Sequence, residues 1–220
     1  MEKEYLTIGL VHPIHMIESL LWECLTKTGE RKVRILAIGC RYGDWEEKIL
    51  NDLNVTEHLP GVEIIGVDID LETLKEAKSR IDVIGSDVRN LGAKEETFDI
   101  VYCPFVLHWL TDKTRRIHKA GLIQALKEMK RVLRKKGWLQ IITPGPSSLE
   151  IMESELFQAI CGKTEIDEGL KKLYLIFTET LENLLSQIKE LKIIRCQKIS
   201  KDLKNAHRPL WVEILCQKED

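Results

Sequence analysis

Short runs of consecutive apolar residues alternate along this chain with stretches in which apolar positions return every three to four residues. The first pattern suits strands buried on both faces of a sheet, and the second suits helices with one buried stripe. Ile14, Ile17, Leu20, Leu21 and Leu25 have helical spacing, so residues 1–31 are expected to form a helical preface. Val33–Ile38 is the first strand. Trp45, Ile49, Leu50 and Leu53 then mark one face of a helix, and Val62–Val67 is the second strand. Leu71–Arg80 reads as a helix. "RIDVIGSD" at 80–87 holds a brief third strand, and "FDIVYC" at 98–103 is a fourth, apolar except for Asp99.

The clearest helix lies between Thr114 and Lys136, with Leu122, Ala125, Leu126, Met129, Val132 and Leu133 as its buried stripe. Arg134, Lys135 and Lys136 form its expected last turn and Gly137 follows, the order that a helix C-terminus favours. "WLQIIT" at 138–143 is a fifth strand. Residues 146–177 are expected to be a helical insertion. Thr178 then caps a helix through Lys189, with Leu181, Leu184, Leu185 and Ile188 inward. The last two strands, 191–199 and 209–218, have no helix between them and are expected to pair antiparallel at a sheet edge.

Alternating strands and helices of these lengths predict an α/β fold, a doubly wound and mostly parallel sheet with helices on both faces. The chain of 220 residues is read as one domain. In such a sheet ligands bind beyond the carboxyl ends of the strands, where strand order reverses. Four stretches therefore matter for chemistry: 39–44, 68–70, 85–89 and 103–111.

Composition adds exclusions. Hydrophobic residues make up 44% and charged residues 31%, as in a soluble globular protein. A net charge of −2 gives no global attraction to nucleic acid or to an anionic membrane. The basic stretch "DKTRRIHK" at 112–119 reads as a solvated helix start. No apolar run approaches a membrane span. The N-terminal segment does not read as a signal peptide. The six cysteines are scattered without a C-x-x-C pair or a spaced Cys/His set, so no metal site is expected. Reduced, mostly buried thiols and a cytoplasmic setting are the expected reading.

Gly39 and Gly43 flank the loop after the first strand, where glycine permits positive φ and close backbone approach. Asp68 ends the second strand, where a carboxylate can accept bonds from both hydroxyls of a ribose. Asp70, nearer to Leu71, suits the cap of the next helix and leaves Asp68 for a ligand. Asp87 ends the third strand and can accept a bond from an exocyclic amino group such as that of adenine, with Val88 over a ring face. A turn aspartate is the competing reading. After the fourth strand, Phe105, His108 and Trp109 can shape a pocket, and His108 can orient a substrate or act as a base. The alternative is a packed helix start.

In order, "ILAIGCRYG", "GVDID", "GSDV", "FDIVYCPFVLHWL" and "LKEMKRVLRKKGWLQIITPG" resemble the motifs of a class I S-adenosylmethionine-dependent methyltransferase of the small methyltransferase-domain type. The resemblance implies a Rossmann-like sheet of seven strands with the last one antiparallel, and S-adenosylmethionine as cofactor. It implies cofactor contacts from Gly39, Cys40, Arg41, Gly43, Asp68, Ile69, Asp87, Val88 and Cys103. A small-molecule methyl acceptor, with a carboxylate, hydroxyl or amine, would meet Phe105, His108 and Trp109, and His108 is the candidate base. Two positions depart from the family pattern. Ala37 stands where a carboxylate helps organise the methionine end of the site, and Arg41 stands where the middle glycine falls. A non-glycine residue is strained at position 41 if that position needs positive φ. Tyr102-Cys103-Pro104-Phe105 lacks the Asn/Asp of enzymes that methylate adenine or glutamine nitrogens. Two other readings are a non-catalytic scaffold that keeps the fold and a nicotinamide dehydrogenase. The second is weakened by the absent G-x-G-x-x-G.

Overall fold

The structure is a computed structural model that describes residues 13–28, 32–54, 61–110, 118–144, 180–199 and 211–220. Seven strands form one sheet in the order β3-β2-β1-β4-β5-β7-β6. They are β1 (Val33–Ile38), β2 (Val62–Asp68), β3 (Asp82–Gly85), β4 (Phe98–Pro104), β5 (Leu133–Pro144), β6 (Leu191–Ile199) and β7 (Trp211–Lys218). The first five are parallel, and β7 runs antiparallel between β5 and β6. The fold is a doubly wound, Rossmann-like sheet, with its order reversing between β1 and β4.

Strand periodicity sends successive side chains to opposite faces. Leu36 and Ile38 of β1, Val101 and Cys103 of β4, and Leu139 and Ile141 of β5 share one core with Leu122, Ala125, Leu126 and Met129 of α4 (Lys119–Val132). Ile35 and Ala37, Ile100 and Tyr102, and Trp138 and Ile142 face the other side. There they meet Ile17, Leu20, Leu21 and Leu25 of α1 (Pro13–Thr28) and Ile49 of α2 (Asp44–Asn54). Burial on both faces is why these strands read as unbroken apolar runs. Each fully buried leucine in these clusters stabilises the fold by about 1.5–3 kcal/mol relative to exposure. The exception in β4, Asp99, is a buried carboxylate that accepts bonds from the Arg34 amide at 2.9 Å and from Arg134 at 2.8 Å.

Several expectations are corrected here. The helix of residues 114–136 ends earlier, at Val132, and β5 begins at once with Leu133. Arg134 is drawn into the sheet by Asp99. Gly137 serves close approach rather than capping, since a Cβ there would lie 2.8 Å from the Arg134 carbonyl and 3.0 Å from that of Asp99. On α2, Trp45 is 38% exposed, and Glu46 occupies the inward position beside Ile49. The helix read through Lys189 is helical at 180–185 and turns thereafter, with Leu181, Leu184, Leu185 and Ile188 buried as expected. Residues 1–12 of the preface, the 146–177 insertion, Thr178 and most of 112–119 lie outside the described residues.

Candidate cofactor and acceptor site

Because strand order reverses between β1 and β4, the loops after these two strands frame the candidate crevice. In the β1 loop, Gly39 has φ +76°, Arg41 +47° and Gly43 +74°. Three residues of the left-handed conformation make the chain double back, with the Gly39 amide on the Val67 carbonyl at 2.6 Å and the Gly43 amide on that of Cys40 at 2.8 Å. Arg41 therefore takes up a glycine's conformation. Its side chain is exposed, with the guanidinium 5.5 Å from the centre of the Tyr42 ring. The glycines also answer to packing. A Cβ on Gly39 would collide with Val106 of the β4 loop, and one on Gly43 would press on Ile81 at 3.2 Å. Gly39 thus lets the two loops close on each other.

Asp68, at the tip of β2, holds this loop. One carboxylate oxygen accepts the Arg41 amide at 2.9 Å, and the other accepts the Asp70 amide at 3.0 Å. The expectation that Asp68 stands wholly available is corrected, because it already organises two backbone segments. A carboxylate offers about four acceptor directions, so room for hydroxyl donors remains. Asp70 caps α3 (Leu71–Ala77) by accepting the Glu72 amide at 3.0 Å, as its place before Leu71 suggests. Between them Ile69 is 68% exposed at the crevice rim.

Asp87 follows β3 and is tied to Arg89, an arrangement that sequence reasoning missed. The Arg89 amide and Nε reach one oxygen at 2.8 and 2.9 Å, and a guanidinium nitrogen reaches the other. This pairing lowers the Asp87 pKa below its ordinary value. The signal was the Asp-x-Arg spacing in "GSDVRN". Val88 is buried in the main core and offers little surface to a ring.

Two cysteine assignments are also revised. The Cys40 side chain packs with Leu74, Ala77 and Ile81 and lies against Gly66, where a Cβ would come within 2.5 Å of its sulfur. Burial pushes its thiol up to about 12. Cys103 is fully enclosed in the main core, and its thiol is raised further by burial. Neither sulfur faces the crevice, so any part these residues take there is through their backbone.

After β4, Phe105 has φ +54° and donates its amide to the Ile142 carbonyl at 2.8 Å. Its ring packs on the α1 side of the sheet. A 3-10 turn at Leu107–Trp109 then separates two neighbours. His108 is buried, and burial lowers its pKa to about 4. Trp109 is 65% exposed, its ring 5.0 Å from that of His108. At neutral pH the imidazole is therefore neutral, able to orient a partner and poor at holding a proton.

Sequence reasoning also missed a row of buried polar groups on the α1 side. Register aligns Ala37 with Tyr102 and Tyr102 with Gln140. Gln140 donates to Glu213 at 2.6 Å, and Glu213 accepts from Arg195 at 3.0 Å. Glu46 lies at the inward face of α2, where burial raises its pKa to about 7. A legible signal existed, since Glu46 precedes Ile49 and Leu50 by three and four positions.

With this geometry in place, residues 36–141 match the family profile described as methyltransferase domain. The chain has the fold of the class I methyltransferases, and residues 36–141 are the segment that matches that family's profile. No curated protein matches the chain in sequence. Among solved structures, a SAM-dependent methyltransferase from Methanosarcina mazei is 17% identical with TM-score 0.61, over 88% of this chain and 95% of that one. A protein from Pyrococcus horikoshii OT3 is 17% identical with TM-score 0.61, over 94% and 89%. The N-methyltransferase NodS from Bradyrhizobium japonicum WM9, solved in complex with S-adenosyl-L-homocysteine, is 15% identical with TM-score 0.54, over 94% and 89%. Among the described residues, no helix is long and apolar enough to cross a membrane.

Proposed function

We propose that this protein moves a methyl group from S-adenosylmethionine to a small-molecule acceptor. The observation that carries this reading is the β1 loop. Arg41 adopts φ +47° with its head turned onto Tyr42, so the substitution keeps the backbone course of a glycine loop. The residues fit an adenosyl group. Gly39 and Gly43 shape the loop, Asp68 retains acceptor directions for ribose hydroxyls, Ile69 offers an exposed apolar face, and Asp87 keeps acceptor capacity for an amino group. When bound, the cofactor supplies a methyl group already activated on a sulfonium. The protein's part is alignment, which can supply about 7–11 kcal/mol of a barrier. Trp109 and Phe105 flank the acceptor side, and neutral His108 orients the acceptor through a hydrogen bond. A buried imidazole titrating near 4 is a weak base, which favours acceptors that arrive already nucleophilic, carboxylates first.

A second reading has its own support. Arg89 occupies much of Asp87, and Val106 closes against Gly39, as in a scaffold that has kept the fold without the ligand. Calorimetric titration with S-adenosylmethionine separates the two. Binding in the micromolar range supports the enzyme, and none at millimolar cofactor refutes it.

A further inference from the structure

We propose that Glu46 and Tyr102 form the subsite that receives the ammonium group of the cofactor's amino-acid end, on the α1 side of the crevice between β1 and β4. This rests on the cofactor reading above and deepens it.

Ala37 and Tyr102 are register partners near the carboxyl ends of β1 and β4. Ile49, on the inward face of α2, packs in the same cluster as both. One turn earlier on that face, nearer the cofactor loop, stands Glu46, and it is 4% exposed. Ala37 contributes only a methyl group to this corner. The Glu46 charge helps to raise both the Cys40 thiol and the Tyr102 hydroxyl above their ordinary values.

Two features mark this corner as built for a ligand. First, Glu46 has no cationic partner among the described residues. Arg80 is engaged by Asp44, Glu47 and Glu76, and Arg41 is turned outward onto Tyr42. Second, the Tyr102 hydroxyl is fully enclosed and has no hydrogen-bond partner among the described residues. A buried carboxyl without a cation beside it and an enclosed hydroxyl without a hydrogen-bond partner each cost free energy unless something donates to them. An ammonium group has three donors and one positive charge, which meets both demands at once. Burial raises the Glu46 carboxyl to about 7, and a cation beside it would favour the charged form.

The test compares two ligands that share the adenosine and the thioether. S-adenosylhomocysteine carries the amino-acid end, whereas 5′-deoxy-5′-methylthioadenosine lacks it. Calorimetric titration at pH 7.5 is run on the wild type, Glu46→Gln and Tyr102→Phe. Glu46→Gln should weaken S-adenosylhomocysteine at least about tenfold, the loss of one charge-assisted bond. Tyr102→Phe should weaken it severalfold. Methylthioadenosine should bind all three proteins alike, which also reports that the variants are folded. Equal weakening of both ligands, or unchanged S-adenosylhomocysteine in Glu46→Gln, overturns the proposal. A wild type that binds neither ligand overturns the cofactor reading and this assignment with it. A wild type that binds methylthioadenosine but gains nothing from the amino-acid end overturns this assignment alone.

Discussion

Two buried groups of opposite character should nearly cancel in the pH dependence of stability, and removing either should expose the other. Glu46 has its carboxyl raised from 4.5 to about 7 by burial, so the folded state binds more protons than the unfolded state between those values. Its effect is that stability falls as pH rises through that window. His108 is lowered from 6.5 to about 4 by burial, so there the unfolded state binds more protons. Its effect is that stability rises with pH from about 4 to 6.5. At 1.36 kcal/mol per pH unit, each amounts to about 3 kcal/mol over its full range, and about 2 kcal/mol between pH 5 and 7.5.

The measurement is urea unfolding of the wild type, Glu46→Gln and His108→Gln at pH 5, 6, 7 and 7.5. Above pH 5, Asp87 and Glu128 remain largely ionised because arginine partners lower their pKa values, so they stay out of the window. The wild type should change by less than about 1 kcal/mol. Glu46→Gln should lose about 2 kcal/mol on going from pH 7.5 to 5, and His108→Gln should gain about as much. For a chain of this length that is a shift in Tm of roughly 4–8 °C in opposite directions. Parallel pH curves for all three proteins would refute the assignment of these shifts to burial, as would slopes of the same sign in the two variants.

Arg41→Gly should stabilise the protein by about 1 kcal/mol, because it removes a left-handed non-glycine residue at the small loss of an exposed contact with Tyr42; thermal melts check this. Gly39→Ala should cost about 2–3 kcal/mol from its φ of +76° and the collision with Val106. Adding Val106→Ala should recover part of that loss, and full additivity of the two in denaturant titrations would contradict it. Asp99→Ala should cost about 3 kcal/mol by leaving Arg134 and the Arg34 amide without their shared carboxylate. The matching observation is faster hydrogen exchange at the Arg34 amide.

The pattern of apolar residues determined most of the architecture. Val33–Ile38 and residues 191–199 were legible to their ends, and the final antiparallel pair was legible from the missing helix between its strands. A strand buried on both faces must be apolar throughout, so its limits are written in the sequence. The glycine loop, Asp68 and the cap at Asp70 were legible for a similar reason, since turn geometry and capping are local. Tertiary structure decided what local rules cannot reach. It ended α4 at Val132, because Asp99, distant in sequence, draws Arg134 into the sheet. It gave Glu46 rather than Trp45 the inward place on α2, and it sent the Cys40 and Cys103 sulfurs into the core. It also tied Asp68 and Asp87 to partners before any ligand arrives. Each of these depends on which group from another element lies opposite, and a long-range electrostatic or packing partner leaves no periodicity in the chain that meets it.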